Sequence, residues 1–252
     1  MVDIGRDLDA AIARLDDHIV VRLIGPLSLA SVPATNKLLI KLLAEGQPVL
    51  VDVSRLDMVW KAALEVFPTA LAAGGGWPTA RLVLFGAAPH LGGVLQALRI
   101  DQRMPVEVDY EAAWVARDER PQRLRRRWEL PMRLSSAGAA RAGIREACAD
   151  WGIHAAQATL ELVVTELVAN AVQHAASAPL VTLGLRDDEA TVTVEDVLPC
   201  ERPRPQLTST DAPECGGKGL LIVAALAKSW GVIERVGGKA VWATVSTVDP
   251  PL

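Results

Sequence analysis

The chain has 252 residues, 50% of them hydrophobic, 22% charged and 4% aromatic. At about 100 to 200 residues per domain this is enough for two compact domains, and the apolar content excludes disorder over most of the length. Acids exceed bases by four overall, yet residues 117–134 hold seven Lys and Arg against three Asp and Glu, between two mildly acidic halves. Neither half is basic enough for a dedicated nucleic-acid binder, so no direct nucleic-acid partner is expected.

The longest apolar runs, such as 160–164 and 220–226, fall short of the roughly 20 residues of a membrane helix, so no membrane partner is expected. Residues 1–9 place acids where a signal peptide carries positive charge. Three cysteines at unrelated spacings (Cys148, Cys200, Cys215) make neither a disulfide framework nor a zinc pattern, which suits a reducing cytoplasm.

In chain order, 18–24, 48–53, 81–85 and 105–108 read as strands, and 31–44, 61–73, 91–99 and 110–116 as helices. Strand and helix in alternation imply a mixed or parallel sheet carrying helices. Residues 117–127, rich in arginine with Pro121 and few apolar groups, have linker composition. Beyond them, 128–134 reads as a strand, 135–151 and 154–175 as helices, and 180–185 and 191–197 as strands. A proline-rich stretch, a helix over 219–230 and a hairpin of 231–235 with 239–246 complete an α+β sandwich. The expected domains are 1–116 and 128–252, joined by the 117–127 linker.

On the helix 154–175, Glu166, Asn170 and His174 recur every four residues and drift by about 40° per step, so they form one polar stripe. The stripe overlaps the edge of the apolar arc, and a carboxylate and an amide placed there cost stability unless something satisfies them. A metal ion, a polar ligand or a neighbouring backbone group is such a partner. His174 reads as a helix-end histidine, since cations suit a helix C-terminus. Gly216-Gly217-Lys218-Gly219 lacks the P-loop spacing, and no Gly-x-Ser-x-Gly elbow is present.

Residues 10–116, with Val49-Leu50-Val51-Asp52-Val53-Ser54 leading into a loop and helix, resemble the anti-sigma factor antagonist (STAS) domain. In that family the loop reads roughly Asp-Ser-Ser-Gly-Leu and one serine accepts phosphate. Here Trp60-Lys61-Ala62-Ala63-Leu64 stands in its place, with no hydroxyl. Trp60 is then either a packing aromatic or an exposed contact for a partner.

Residues 126–247 resemble the GHKL ATPases (Bergerat fold), in particular the anti-sigma factor serine kinases. The resemblance rests on Glu166-Leu-Val-Ala-Asn170, then Asp196 ending a strand, then Gly216-Gly217-Lys218-Gly219-Leu220 opening a helix, then the closing hairpin. It implies ATP and Mg2+ as cofactors, Glu166 as general base, Asn170 as magnesium ligand, and Asp196 as acceptor for the adenine amino group. Gly216, Gly217, Lys218, Gly219 and Leu220 would line the phosphates. Departures are Val197-Leu198-Pro199-Cys200 where the family carries Gly-x-Gly, and Ala240 where threonine is common; residues 202–214 would be the lid.

Together the resemblances imply a cytoplasmic partner-switching regulator of sigma-factor signalling with a serine/threonine kinase-like half. Its partners would be a sigma factor or an anti-sigma factor or antagonist protein. An intramolecular contact between the halves and a homodimer are expected as well. The alternative is a non-catalytic docking module, supported by the absent serine and the altered glycine box.

Overall fold

The computed structural model describes residues 2–5, 7–131, 135–174, 178–197, 218–235 and 238–248. Two compact units divide the chain, 1–124 and 125–252.

The first unit is a six-stranded sheet in the order β1 (Val2–Gly5), β2 (Leu8–Arg14), β3 (Ile19–Leu27), β4 (Val49–Met58), β5 (Leu82–Phe85) and β6 (Val106–Glu107). The pairs from β1 to β3 are antiparallel, and those from β3 to β6 are parallel. Helices α1 (Val32–Leu43), α2 (Val66–Ala73) and α3 (Pro89–Ala97) fill the crossovers, and α4 (Tyr110–Ala116) follows β6. Alternation along β4 explains the layering. Val49, Val51 and Val53 belong to a core that also holds Leu39, Phe67 and Leu91 from α1 to α3. Leu50 instead joins Val83, Phe85 and Ala113, with Tyr110 and Trp114 of α4 against them.

Strands β1 and β2 were not expected, because Asp3, Asp7 and Asp9 mask the alternation of Leu8 and Ala10, both 0% exposed. The helix expected over 61–73 is a 3₁₀ turn, Lys61–Glu65, followed by α2, whose first turn takes Pro68.

The second unit is a five-stranded sheet in the order β10 (Ser229–Arg235), β11 (Gly238–Ser246), β9 (Glu189–Val197), β8 (Leu180–Arg186) and β7 (Arg123–Glu129). Helices α5 (Ser136–Trp151), α6 (Gln157–His174) and α7 (Lys218–Leu226) accompany it, and α6 packs on β9, β11 and both other helices. The fold class is therefore a mixed α/β unit followed by an α+β sandwich.

The arginine-rich stretch expected to be a linker over 117–127 is in part β7, and the strand expected over 128–134 begins and ends earlier. The reason is that alternate residues find partners. Leu124 is buried, the Arg126 guanidinium lies 2.6 Å from Asp150 Oδ2 on α5, and Arg125 and Arg127 point to water. The helix expected to run to residue 230 ends at Leu226, and Trp230 lies in β10 instead.

Candidate nucleotide site

Helix α6 is built by its apolar arc. Leu160, Val163, Val164 and Leu167 are 0% exposed and Val168 is 1% exposed, which sets the rotation of the helix against the sheet. By length and mean hydropathy residues 154–173 would suffice to cross a bilayer, but this arc is spent inside the unit. The rotation leaves Glu166 and Asn170 at the arc's edge, both half-buried. Among the described residues no side-chain hydrogen bond engages either of them.

What faces Glu166 is the first turn of α7. A Cβ placed on Gly219 would collide with Glu166 Oε2, with Glu166 Cδ at 3.4 Å and Cβ at 3.6 Å. Residue 166 of one helix and residue 219 of another thus meet at the amino end of α7, where free N–H groups favour an anion. Asp196 lies in β9 opposite Lys239 of β11, and Leu220 lies in α7. Ala240, noted for its missing hydroxyl, is fully buried and pairs with Glu195. Gly216, Gly217, Leu198, Cys200 and the expected lid 202–214 lie outside the described residues, as do the side chains of His174, Asp196 and Lys218.

Residues 130–245 match the family described as histidine kinase-like ATPase domain. The matched residues lie within the second unit, which is thus similar to a histidine kinase-like ATPase domain. The first unit is STAS-like in its sheet-and-helix order.

No curated protein matches the chain. Among solved structures, the RsbU and RsbW domains of a Mycobacterium tuberculosis protein are 22% identical with a TM-score of 0.38, over 49% of this chain and 32% of that one. The chain thus spans about a third of that protein's length. An anti-sigma factor antagonist from Mycobacterium paratuberculosis is 16% identical with a TM-score of 0.38, over 44% of this chain and 95% of that one. The anti-sigma factor antagonist SpoIIAA in its unphosphorylated form is 15% identical with a TM-score of 0.33, over 40% of this chain and 89% of that one.

Of the groups a magnesium nucleotide would need, the described residues supply the half-buried Glu166 carboxylate and Asn170 amide of α6 and the amino end of α7. Among the described residues no three His, Cys, Asp or Glu side chains converge to hold a metal alone.

In the STAS-like unit the loop after β4 presents Val59 and Trp60 at 64% and 47% exposure, and the loop after β3 presents Leu29 at 60%. The Val59 N–H donates to Leu27 O at 3.2 Å, which ties the two loops together. Trp60 is thus about half exposed, with part of the indole packed and part open to solvent. The contributions of Leu29 and Val59 were not legible in advance, since single apolar residues in loops carry no periodic signal.

Proposed function

We propose that the chain is a partner-switching regulator whose ATPase-like domain binds Mg-ATP and whose STAS-like domain is a docking surface. The observation that carries the nucleotide reading is the meeting of Glu166 on α6 with the first turn of α7, with Asn170 one helical turn further along. In this reading the amide oxygen of Asn170 is a magnesium ligand and Asp196 accepts a hydrogen bond from the adenine amino group. The first turn of α7 offers its N–H groups to phosphate oxygens. Magnesium-bound ATP supplies the phosphoryl group and, as ADP, the leaving group.

Glu166 would take the proton from a serine hydroxyl of a partner protein, or from water, as the oxygen bonds to the γ-phosphorus and the bond to ADP breaks. Orientation and charge neutralisation carry most of such a transfer. A reducing compartment, the cytoplasm, suits a chain whose three cysteines stand at unrelated spacings.

Isothermal calorimetry with ATP, with and without magnesium, is the test. Binding by the wild-type chain is expected, with Asn170→Ala losing the magnesium-dependent part of the affinity. No heat of binding at millimolar ATP overturns the reading. The non-catalytic alternative is favoured by the exposed Trp60 next to Lys61 and Ala62, which leave the docking loop without a phosphate acceptor. ATP binding without turnover, with partner capture intact, would identify it.

A further inference from the structure

Gly219 is the second residue of α7, and its φ is outside the left-handed region, so the backbone gives no reason for glycine there. Glycine within a helix disfavours it relative to alanine, so a different demand must hold the position open. Not every helical glycine here meets one: a Cβ on Gly92 or Gly93 of α3 would find nothing within 4 Å. On Gly219 it would meet the Glu166 carboxylate first, then Glu166 Cδ at 3.4 Å.

We infer that Gly219 is a positioning residue: its bare Cα is the seat that holds the Glu166 carboxylate against the first turn of α7. The inference rests on the reading of Glu166 as a base in a Mg-ATP site, and it changes what this glycine is for. A glycine at a phosphate site is ordinarily explained by close approach of the ligand to backbone N–H groups. Here the space above Gly219 is taken by a side chain of the same chain. Glu166 Oε2 is the free end of a side chain with three rotatable bonds, whereas α7 is anchored through the fully buried Val223. A methyl at residue 219 is therefore relieved first by movement of the carboxylate. A substitution at residue 219 thus acts first through residue 166.

The test uses the full chain with Gly219→Ala, Glu166→Gln and the double variant, and with Gly138→Ala on α5 as control. Three readouts separate the outcomes. With water as acceptor, Gly219→Ala should lower kcat for ATP turnover at least 100-fold, with the ATP dissociation constant within threefold of wild type. The double variant should be no slower than Glu166→Gln, since groups acting as one unit are not additive. A double variant slower than Glu166→Gln by the full Gly219→Ala factor overturns the inference.

Independently of turnover, the side-chain carboxyl carbon resonance of Glu166, assigned by its loss in Glu166→Gln, should move in nucleotide-free Gly219→Ala and stay in place in Gly138→Ala. An unmoved resonance overturns the inference. A moved resonance in a chain that binds no ATP would support the seat and reject the nucleotide reading. Should Gly219→Ala fold poorly, adding Glu166→Ala should raise its thermal midpoint, and no rescue overturns the contact.

Discussion

Arg22 Nε donates to Asp52 Oδ2 at 2.6 Å across the parallel pair β3 and β4, while Asp52 Oδ1 accepts the Ser54 N–H at 2.9 Å. The second bond explains why an acid that is 4% exposed is tolerated in a sheet. Between Arg22 and Ile24 the pairing slips, so that β4 carries one residue more than β3, and a bulge frees the Ser54 N–H from the ladder. Gly86, at a φ of +75°, completes the arrangement. A Cβ there would stand 3.2 Å from Ser54 Cβ and 3.3 Å from Asp52 Oδ1.

Burial alone would raise the Asp52 pKa, but the hydrogen bonds from Ser54 and Arg22 outweigh it and hold the carboxyl below the usual aspartate range. Asp52→Ala should therefore cost about 1 to 3 kcal/mol in urea unfolding, because the Ser54 N–H loses its acceptor. The sign of the pH dependence follows from a folded-state value below the unfolded one. The contribution is complete at neutral pH and is lost as pH falls through the depressed value. The difference between wild type and Asp52→Ala should shrink in acid, and a gap that stays constant between neutral pH and pH 3 refutes the assignment.

Two glycines of α5 should respond to alanine with opposite signs. A Cβ on Gly143 would lie 2.8 Å from Trp128 Cε2, 2.9 Å from Cζ2 and 3.0 Å from Nε1, so the β7 indole lies directly against the helix backbone. Gly138 would meet only the Arg141 guanidinium, at 3.9 Å. Gly143→Ala should cost about 1 to 3 kcal/mol through overpacking. Gly138→Ala should gain about 0.5 to 1 kcal/mol through helix propensity and a less free unfolded chain. Chemical unfolding of the two variants decides it, and equal shifts would show that Trp128 is not held against residue 143.

How far the sequence reached depended on whether a residue's partner was near it in the chain. The rotation of α6 followed from its own periodicity, and the half-buried edge where Glu166 and Asn170 lie is where that periodicity puts them. The arginine-rich stretch failed for the opposite reason. Arg126 looks solvated until Asp150, 24 residues later, supplies its counterion, so composition alone reads as a linker. Similarly, Gly219 reads as part of a glycine box until Glu166, brought to it by packing of α6 on α7, shows what the missing side chain makes room for.

Cys148 should be inert in the native state. Its side chain is 0% exposed, and burial, then the charge of Glu161, pushes its pKa up to about 11. At pH 8 the thiolate, which is the reactive form, is a minor species held away from solvent. Alkylation with iodoacetamide followed by peptide mapping should find Cys148 unmodified in the folded chain and fully modified in urea. Modification of the folded chain at the rate of a free thiol would show that α5 opens readily.

The loop after β4 should take no phosphate. Its exposed positions 61 and 62 are lysine and alanine, so neither offers a hydroxyl to phosphorylate. Lys61 also places a fixed positive charge there, the reverse of the dianion that phosphorylation would add. A loop that cannot gain negative charge cannot be released from a partner by repulsion, so its docking state would be set by the apolar surface of Leu29, Val59 and Trp60. Incubation of the chain with labelled ATP and magnesium, followed by peptide mapping, should leave residues 54–69 unlabelled. The same residues predict a separation of stability from binding. Trp60 is about half exposed, so Trp60→Ala should shift the unfolding free energy by no more than about 0.5 kcal/mol. If the proposed docking surface is centred on Trp60, the same substitution should cost a partner complex about 2 kcal/mol or more. Label on any residue of 54–69, or a large loss of stability in Trp60→Ala, would show that this loop works by charge or by packing instead.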